Sequence, residues 1–200
     1  MTEIKFKIFD LYETEEISVE DQGLKSAINL DSKLLLKSHG RNFQKYGQAK
    51  VNIIERLINK MAVGGHRGKK HKIMKGTATG KYSRNARILL EAFEIIKNKT
   101  GKNPIEVLIR AVENSAPRDE VTMIEYGGAR YPQAVDVSPL RRVNLALKHI
   151  VHGSSDKAFD KKKKFSQAIA EEIMLAAEEN QDSFAVRKKV EAEKQADSAR

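Results

Sequence analysis

The chain has 200 residues, a formal net charge of +10 at pH 7 and no cysteine. This length suits one folded domain with tails, and the absence of cysteine excludes disulfides, cysteine zinc sites and thiol nucleophiles. The positive charge favours an anionic partner, and because only 6% of the residues are aromatic, we expect phosphate contacts to outweigh base stacking. The absence of cysteine also favours a reducing, cytoplasmic setting. No apolar run is long enough to span a membrane and the N-terminus lacks the apolar segment of a secretory signal, so we expect no membrane contact.

The first segment, residues 1–32, differs in charge from the rest of the chain. Its residues 1–31 carry eight acids and three bases, a net charge of −5. IKFKIF alternates like a β-strand, but the following DLYETEEISVEDQ is acidic. We interpret residues 1–32 as an acidic N-terminal extension that is solvated or weakly ordered, with contact to a basic neighbour as the alternative. The folded domain is then predicted over residues 33–200.

Residues 33–81 reverse the sign of the charge, since thirteen Lys and Arg face a single acid, Glu55. The first part, KLLLKSHGRNFQKYGQAK, lacks helical periodicity, so we predict an extended arm that offers Arg41, Lys45 and Lys50 to an anionic partner. A helix is predicted next. Its buried face comprises Ile53, Ile54, Leu57, Ile58 and Met61.

A basic loop is predicted over residues 64–81, GGHRGKKHKIMKGTATGK, which contains five glycines and six Lys or Arg. Such a composition cannot build a core of its own, but it can order on RNA while phosphate pairing and counterion release offset the lost entropy. A solvated face is the alternative. The order of residues does not match a nucleotide-binding P-loop. The basic residues of the loop are Arg67, Lys69, Lys70, Lys72, Lys75 and Lys81.

Two amphipathic helices are predicted after the loop. Ser83 is the expected N-cap of the first and Gly101 its left-handed C-cap, while Asn103 followed by Pro104 starts the second. Short connections imply antiparallel neighbours and therefore a helical bundle. The predicted buried residues are Ile88, Leu89, Ala92, Phe93, Ile95 and Ile96 in the first helix and Ile105, Leu108, Ile109 and Val112 in the second.

A β-ribbon is predicted over residues 120–137. Segments rich in Val, Ile, Tyr and Met flank a Gly127-Gly128 pair, which can supply the positive φ angles of a tight hairpin turn. Pro132 cannot donate to a strand ladder, so we expect an exposed ribbon and not part of a central sheet. The candidate nucleic-acid contacts here are Arg118 and Arg130.

The next helix is predicted to begin at Ser138-Pro139, because Ser can cap a helix and Pro suits its first position. One apolar stripe would face the core, and we expect the helix to end at Gly153. The stripe comprises Leu140, Val143, Leu147, Ile150 and Val151, and the remaining arc carries Arg141, Arg142, Lys148, His149 and His152. Fixed positive charge beside a ribbon is typical of a nucleic-acid-binding protein.

Two further helices follow the basic run DKKKK at residues 160–164. The first of these helices is predicted to bury Phe165, Ala168, Ile169, Ile173, Ala176 and Ala177 and to expose Glu171, Glu172, Glu178 and Glu179. The second helix is expected to be capped by Ser183. Its stability is marginal in isolation, and it offers Arg187, Lys188 and Lys189 as RNA contacts. The predicted fold is mainly α: a bundle of about six helices with a protruding two-stranded β-ribbon between the third and fourth helices, and an extended N-terminal arm.

Catalytic and metal sites are not favoured by the sequence. His149 and His152 are three apart on a helix, but no third ligand lies nearby, so we expect no metal and no cofactor. Adjacent glutamates such as Glu171 and Glu172 do not converge on a helix, which favours a solvated face over acid–base chemistry. We therefore expect a binding protein and not an enzyme. A DNA-binding protein that uses the helix after the ribbon, and a free translation factor, are the alternatives.

The run QAVDVSPLRRVNLAL, preceded by the Gly-Gly ribbon, resembles the universal small-subunit ribosomal protein seven family in its archaeal and eukaryotic form. The similarity continues through AFEIIKNKTGKNPIEVLIRAVENSAPR and the Lys-rich end, over residues 33–200. This resemblance implies a structural protein that binds small-subunit ribosomal RNA directly and nucleates assembly of the head domain. It also implies a place at the subunit interface near the decoding region, with the ribbon reaching toward the exit-site tRNA and the mRNA path.

The resemblance further implies partners and contact residues. The partners are the head-domain RNA and neighbouring small-subunit proteins, notably those numbered nine and eleven in the family nomenclature, for a protein bound to ribosomes in the cytoplasm. The ribbon departs from the bacterial form at Glu125 and Tyr126, where that form is richer in Arg. The RNA contacts that the resemblance implies are Lys69, Lys70, Arg130, Tyr131, Arg141 and Arg142.

Overall fold

The computed structural model of the chain describes residues 7–33, 36–38, 44–67, 70–71 and 81–200, with the backbone alone at residues 66, 67, 70 and 71. Four of the predicted RNA contacts lie outside the described residues, namely Arg41, Lys69, Lys72 and Lys75. Helices of nine or more residues make up about half of the described part. Among these helices, none is long and apolar enough to cross a membrane.

The described residues form seven α-helices, one 3₁₀ helix and two antiparallel strand pairs. The helices are α1 (Gln22–Lys25), α2 (Ile53–Met61), α3 (Tyr82–Thr100), α4 (Pro104–Ser115), α5 (Pro139–Ala158), α6 (Phe165–Ala177) and α7 (Phe184–Asp197), with the 3₁₀ helix at Gly47–Lys50. The strands are β1 (His66–Arg67), β2 (Lys70–His71), β3 (Asp119–Tyr126) and β4 (Ala129–Asp136). The mainly helical fold is therefore confirmed, with the β3–β4 ribbon between the third and fourth of the six long helices.

The core lies around α6, which packs against α3, α4 and α5. The predicted buried faces of α2 and α4 are confirmed, because all their apolar residues are at most 1% exposed. Each such side chain contributes about 1.5–3 kcal/mol when it leaves water. Four residues predicted as buried are only partly buried, since they lie at the edges of their apolar stripes: Ile88, Ile95, Leu140 and Ala177.

Helix ends agree with the sequence where a local signal decides them. Gly101 has φ +67° and ends α3 as predicted, and the Asn103 Oδ1 atom accepts from the Ile105 N–H at 3.1 Å to cap α4. The predicted cap at Ser83 is wrong, because α3 already begins at Tyr82. Tyr82 packs on the core, and its hydroxyl donates to the Leu36 carbonyl.

Helix α5 does not end at Gly153 as predicted but continues to Ala158. A Cβ atom at Gly153 would lie 2.6 Å from the Phe184 Cβ atom and 2.9 Å from the Glu172 Cδ atom. Glycine is therefore present because α6 and α7 approach the helix closely, and not because the helix stops there.

Glu172 is fully buried, so its predicted place on the outer face of α6 is wrong. Its Oε2 atom lies 2.6 Å from the Lys157 Nζ atom. Its Oε1 atom accepts from the Ser183 hydroxyl at 2.8 Å and from the Ala185 N–H at 3.1 Å. The carboxylate is thus covered because the start of α7 lies over it, and it joins three helices.

The N-terminal segment packs against the body of the protein. Ile8 and Leu24 are fully buried, and the Glu113 Oε1 atom accepts from the N–H groups of Glu20 and Asp21 at 2.7 and 3.1 Å. For residues 7–33 the expectation of a solvated extension is therefore wrong. The segment is rich in acidic residues, but a few of its apolar side chains face the core. A domain boundary at residue 32 stays a prediction.

The ribbon is exposed, as predicted. Strands β3 and β4 pair from Asp119 opposite Asp136 to Tyr126 opposite Ala129, and the turn has φ of +60° at Gly127 and +80° at Gly128. The exposed fraction is 65% for Met123, 81% for Tyr126 and 58% for Tyr131. Helix α7 packs against both strands and supports the base of the ribbon.

Candidate nucleic-acid interface

Arg141 lies in the first turn of α5, beside the base of the ribbon. Its Nε and Nη2 atoms donate to the Glu120 carboxylate at 2.5 and 2.8 Å, and these bonds raise the pKa of Arg141 despite partial burial. The Arg141 side chain remains 57% exposed. An exposed ion pair of this kind is worth about 1 kcal/mol or less, so an RNA phosphate can compete with Glu120 for the guanidinium.

Arg142 points away from this surface, so its predicted place on the solvent-facing arc is wrong. The residue is 9% exposed, and its guanidinium donates to the Pro117 carbonyl at 3.2 Å and to the Asp21 carboxylate at 2.8 Å. Successive residues on a helix point about 100° apart, so two adjacent arginines cannot share one face. Arg142 contacts the N-terminal segment, and Arg141 faces the ribbon.

A second basic area lies where α5 meets α2 and the 3₁₀ helix. Lys148 is exposed on α5, and burial together with the charges of Lys148 and Arg56 lowers the pKa of Lys60 on α2. Arg56 is buried and donates to the Ala27 carbonyl at 2.6 Å, and burial lowers its pKa to about 10. Within the described residues, none of these three cations has a carboxylate in salt-bridge range.

The 3₁₀ helix brings two further predicted contacts next to this area. The Asn144 amide on α5 donates to the Gln48 side chain at 3.0 Å, which attaches the 3₁₀ helix to α5. Lys45 and Lys50, before and at the end of this helix, are exposed. Glu55, the single acid in this basic stretch, is buried, and it accepts from the Ser38 N–H and hydroxyl at 2.8 and 2.7 Å. It therefore anchors the arm.

The described part of the basic loop contains a short hairpin. His66 pairs with His71 and Arg67 with Lys70, which is compatible with the prediction that the loop does not build a core of its own. The loop starts close to α5, since a Cβ atom at Gly64 would lie 2.7 Å from the Ser155 Oγ atom. Lys81 is exposed where the loop joins α3.

The ribbon and α7 carry the remaining predicted contacts. On the ribbon, Arg130 lies opposite Glu125 at 3.4 Å, and Tyr131 lies opposite Ile124. Arg118 is exposed, while its N–H donates to the Glu193 carboxylate at 3.0 Å. On α7, Arg187 is exposed, Lys188 pairs with Glu191 at 2.5 Å, and Lys189 is partly buried.

A model of the family described as ribosomal protein S7p/S5e matches residues 31–200. The chain belongs to this family. It is 46% identical over 198 residues to the small ribosomal subunit protein uS7 of Nanoarchaeum equitans, an alignment that covers 98% of this chain and all of the relative. The protein of the same name from Methanothermobacter thermautotrophicus is 46% identical over 194 residues, 96% of this chain and 98% of the relative. That from Methanosphaera stadtmanae is 44% identical over 198 residues, 98% of this chain and all of the relative.

Membership of the S7p/S5e family confirms the resemblance that the QAVDVSPLRRVNLAL run carries. The alignments with whole relatives extend over nearly the full chain, and so beyond the residues 33–200 on which the resemblance rests. Sequence reasoning did not identify Lys60 and Arg56, because a helix pattern places them on α2 without showing that Lys148 of α5 lies beside them.

Around His149, no group of three or more His, Cys, Asp or Glu converges within the described residues. Its ring packs against Phe184 with 6.2 Å between centroids. Burial, together with the charges of Lys148, His152 and Lys188, lowers its pKa to about 4. At neutral pH the ring is therefore uncharged and forms part of the packing between α5 and α7.

Proposed function

We propose that this S7p/S5e family member is a structural component of the small ribosomal subunit that binds ribosomal RNA directly. Nearly full-length identity of 44–46% to archaeal small-subunit proteins carries the proposal. A net charge of +10 supports an anionic partner. The arrangement of the described basic residues suits binding to the RNA backbone, because A-form RNA presents its phosphates and hides its base edges in a deep groove.

Two groups of side chains, at different positions along α5, would bind the RNA. The first lies at the ribbon and the first turn of α5, and the second lies where α5 meets α2 and the arm. The first comprises Arg118, Arg130, Tyr131 and Arg141, and the second Lys45, Lys50, Lys60 and Lys148. Arg142 leaves the predicted set, since its N–H groups bind Asp21 and Pro117.

The basic loop and α7 complete the proposed interface. Their contact residues are Arg67, Lys69, Lys70, Lys72, Lys75, Lys81, Arg187, Lys188 and Lys189, together with Arg41 of the arm. Lys188 would exchange its partner Glu191 for a phosphate, a small free-energy change at an exposed pair.

We further propose that the protein nucleates assembly of the head domain and lies at the subunit interface, near the decoding centre and the exit-site tRNA and mRNA path. Small-subunit proteins nine and eleven would be its neighbours, on ribosomes in the cytoplasm. The protruding ribbon supports this placement, because its outer side chains are exposed in the free chain and would reach a partner. The connection into α5 does not favour a DNA-binding helix-turn-helix, since β4 ends at Asp136 and α5 begins at Pro139.

Sedimentation of a cell lysate tests the proposed function. The chain should travel with small subunits and leave them only at high salt, and a chain that stays at the top of the gradient would contradict the proposal. Binding of a head-domain RNA fragment tests the interface. Arg141→Ala should weaken binding and flatten the salt dependence by about 0.7–0.9 in the log–log slope. Arg110→Ala is the matched control, because Arg110 is also exposed and paired, with Glu20. If the Arg141→Ala and Arg110→Ala variants bound the RNA fragment with equal affinity, Arg141 would not be part of the interface.

A further inference from the structure

The ribbon meets the body of the protein at its base. Within the two strands, the last five residues of β3 and the first five of β4 are exposed, and partial burial is limited to residues 119–121 and 134–135. Each strand has eight residues and is therefore about 26 Å long. A rotation of about 10° at the base would move the tip by about 5 Å. The contacts at the base therefore decide where the ribbon points.

Two adjacent acids at the start of β3 are held from opposite faces of the ribbon, because successive side chains of a strand point to opposite faces. Glu120 accepts from the Arg141 guanidinium of α5 at 2.5 and 2.8 Å. Asp119 accepts from the guanidinium of Arg200, which follows α7, at 2.7 Å. The base of the ribbon thus lies between a cation of α5 and a cation attached to α7.

Residues 193–200, which we call the ribbon brace, connect α7 to the base of the ribbon at three points. The Glu193 carboxylate accepts from the Arg118 N–H at 3.0 Å, directly before β3. The Ala199 carbonyl accepts from the Ala134 N–H of β4 at 3.4 Å, a longer and weaker bond. The guanidinium pair with the first residue of β3 is the third point. The ribbon brace therefore contacts both strands.

The ribbon brace continues from α7 without a break in its hydrogen bonds. The Ser198 N–H donates to the Lys194 carbonyl at 3.2 Å, and the Ala199 N–H donates to the Ala196 carbonyl at 3.0 Å. Ala196 is fully buried, which fixes the last turn of α7 against its surroundings. The position of α7 is therefore transmitted to the base of the ribbon.

The Arg200 charge also offsets a repulsion within the ribbon. Asp119 lies directly opposite Asp136, and like charges in this arrangement destabilise a strand pair. The Arg200 Nη1 atom lies 3.6 Å from the Asp197 Oδ1 atom, so one guanidinium joins an acid of α7 to an acid of β3. The Asp119 side chain is only 20% exposed, which reduces the screening of this pair by salt.

We propose that the ribbon brace fixes the direction of the ribbon relative to the helices, with Glu193 and Arg200 as the positioning residues. The proposal concerns the free chain and does not rest on the proposed function. A ribbon that already points in one direction loses less conformational freedom when a partner binds it. The ribbon brace therefore prepares the exposed outer part of the ribbon for contact without taking part in that contact.

A distance measurement between two spin labels by double electron–electron resonance tests the proposal. The chain has no cysteine, so Ala129→Cys at the ribbon tip and Asn98→Cys on α3 provide two exposed attachment points. We expect one narrow distance distribution when the ribbon brace is intact. Glu193→Ala with Arg200→Ala should broaden this distribution by about 5 Å, the displacement of the tip for a rotation of about 10° at the base.

The control is Lys188→Ala with Glu191→Ala, because it removes a base and an acid that are paired with each other on the same helix. Circular dichroism verifies that both variants remain helical. A distribution as narrow for the brace variant as for the control would overturn the proposal. Equal broadening in both variants would show that α7 as a whole is loosened, and this result would also overturn the proposal.

Single substitutions at Arg200 give a second measurement, since its side chain is 61% exposed and the changes leave the core intact. Arg200→Gln removes the charge and should broaden the distribution. Arg200→Lys keeps a cation that can pair with Asp119, so we expect the distribution to stay narrow. Identical distributions for these two variants would overturn the positioning role of the Arg200 charge.

Discussion

The Arg142 Nη2 atom on α5 lies 2.8 Å from the Asp21 Oδ2 atom, and this contact joins residues 121 positions apart in the chain. The other Asp21 oxygen accepts from the Gly23 N–H at 2.8 Å and caps α1. Burial acts to raise the pKa of Asp21, but the bonds from Arg142 and Gly23 outweigh it and lower the pKa below 3.8. One carboxylate thus attaches the acidic N-terminal segment to the helix that carries Arg141.

Loss of this contact should destabilise the protein. Asp21→Asn leaves the buried Arg142 guanidinium without a counter-charge, so we expect the free energy of unfolding to fall by about 2 kcal/mol, less than for a fully buried pair because Asp21 is partly exposed. Urea denaturation measures it. The control, Glu20→Gln, breaks a pair whose side chains are 52% and 62% exposed and should cost less than about 1 kcal/mol. If both variants lost the same free energy of unfolding, the Asp21–Arg142 contact would stabilise the protein no more than the exposed Glu20–Arg110 pair.

Gly153→Ala tests the close approach of α5, α6 and α7. In a free helix this change would stabilise by about 0.5–1 kcal/mol. Here the new methyl group would lie 2.6 Å from the Phe184 Cβ atom, so we expect a net loss of about 1–3 kcal/mol through overpacking. Thermal unfolding monitored by circular dichroism gives the sign, and a raised melting temperature would show that the helices do not meet as described.

Glu172→Ala should be among the most damaging single substitutions in the chain. It removes the partner of Lys157 and the acceptor of the Ser183 and Ala185 groups at the start of α7. Breaking a buried ion pair costs about 3–5 kcal/mol. Glu171→Ala is the neighbouring control, since Glu171 is partly exposed and should cost about 1 kcal/mol or less. Similar urea midpoints for the two variants would refute a buried role for Glu172.

The stability of the protein should depend on pH through His149. Its pKa is about 4 in the folded state against an ordinary 6.5, so between these values the unfolded chain binds a proton that the folded chain does not. The free energy of unfolding should therefore be highest, as far as His149 is concerned, above pH 6.5. It should fall by up to about 3 kcal/mol as the pH drops from 6.5 toward 4. His149→Leu should lose this component. If the curves of unfolding free energy against pH were parallel for the wild-type chain and the His149→Leu variant, His149 would not be the source of the pH dependence.

Local signals in the sequence predicted the elements of the fold. Gly101 and Asn103 mark helix ends because backbone geometry and a single side-chain bond decide such positions. The Gly127-Gly128 turn and the apolar spacing of α2 and α4 are equally local. A signal of the same kind gave a wrong helix end at Gly153. Glycine is required there because of atoms that belong to α6 and α7, which a local pattern does not contain.

The sequence by itself determined that this is a basic, mainly helical protein with a protruding ribbon, because helical periodicity, turn residues and net charge are properties of neighbouring positions. Only the tertiary structure decided which charges are available to a partner. Arg141 and Arg142 are adjacent, as are Glu171 and Glu172, yet one member of each pair is buried against a segment distant in the chain. Charge–charge interactions act through space and depend on burial, so the direction of each side chain and its distant neighbours decide whether a charge supports the fold or faces a partner.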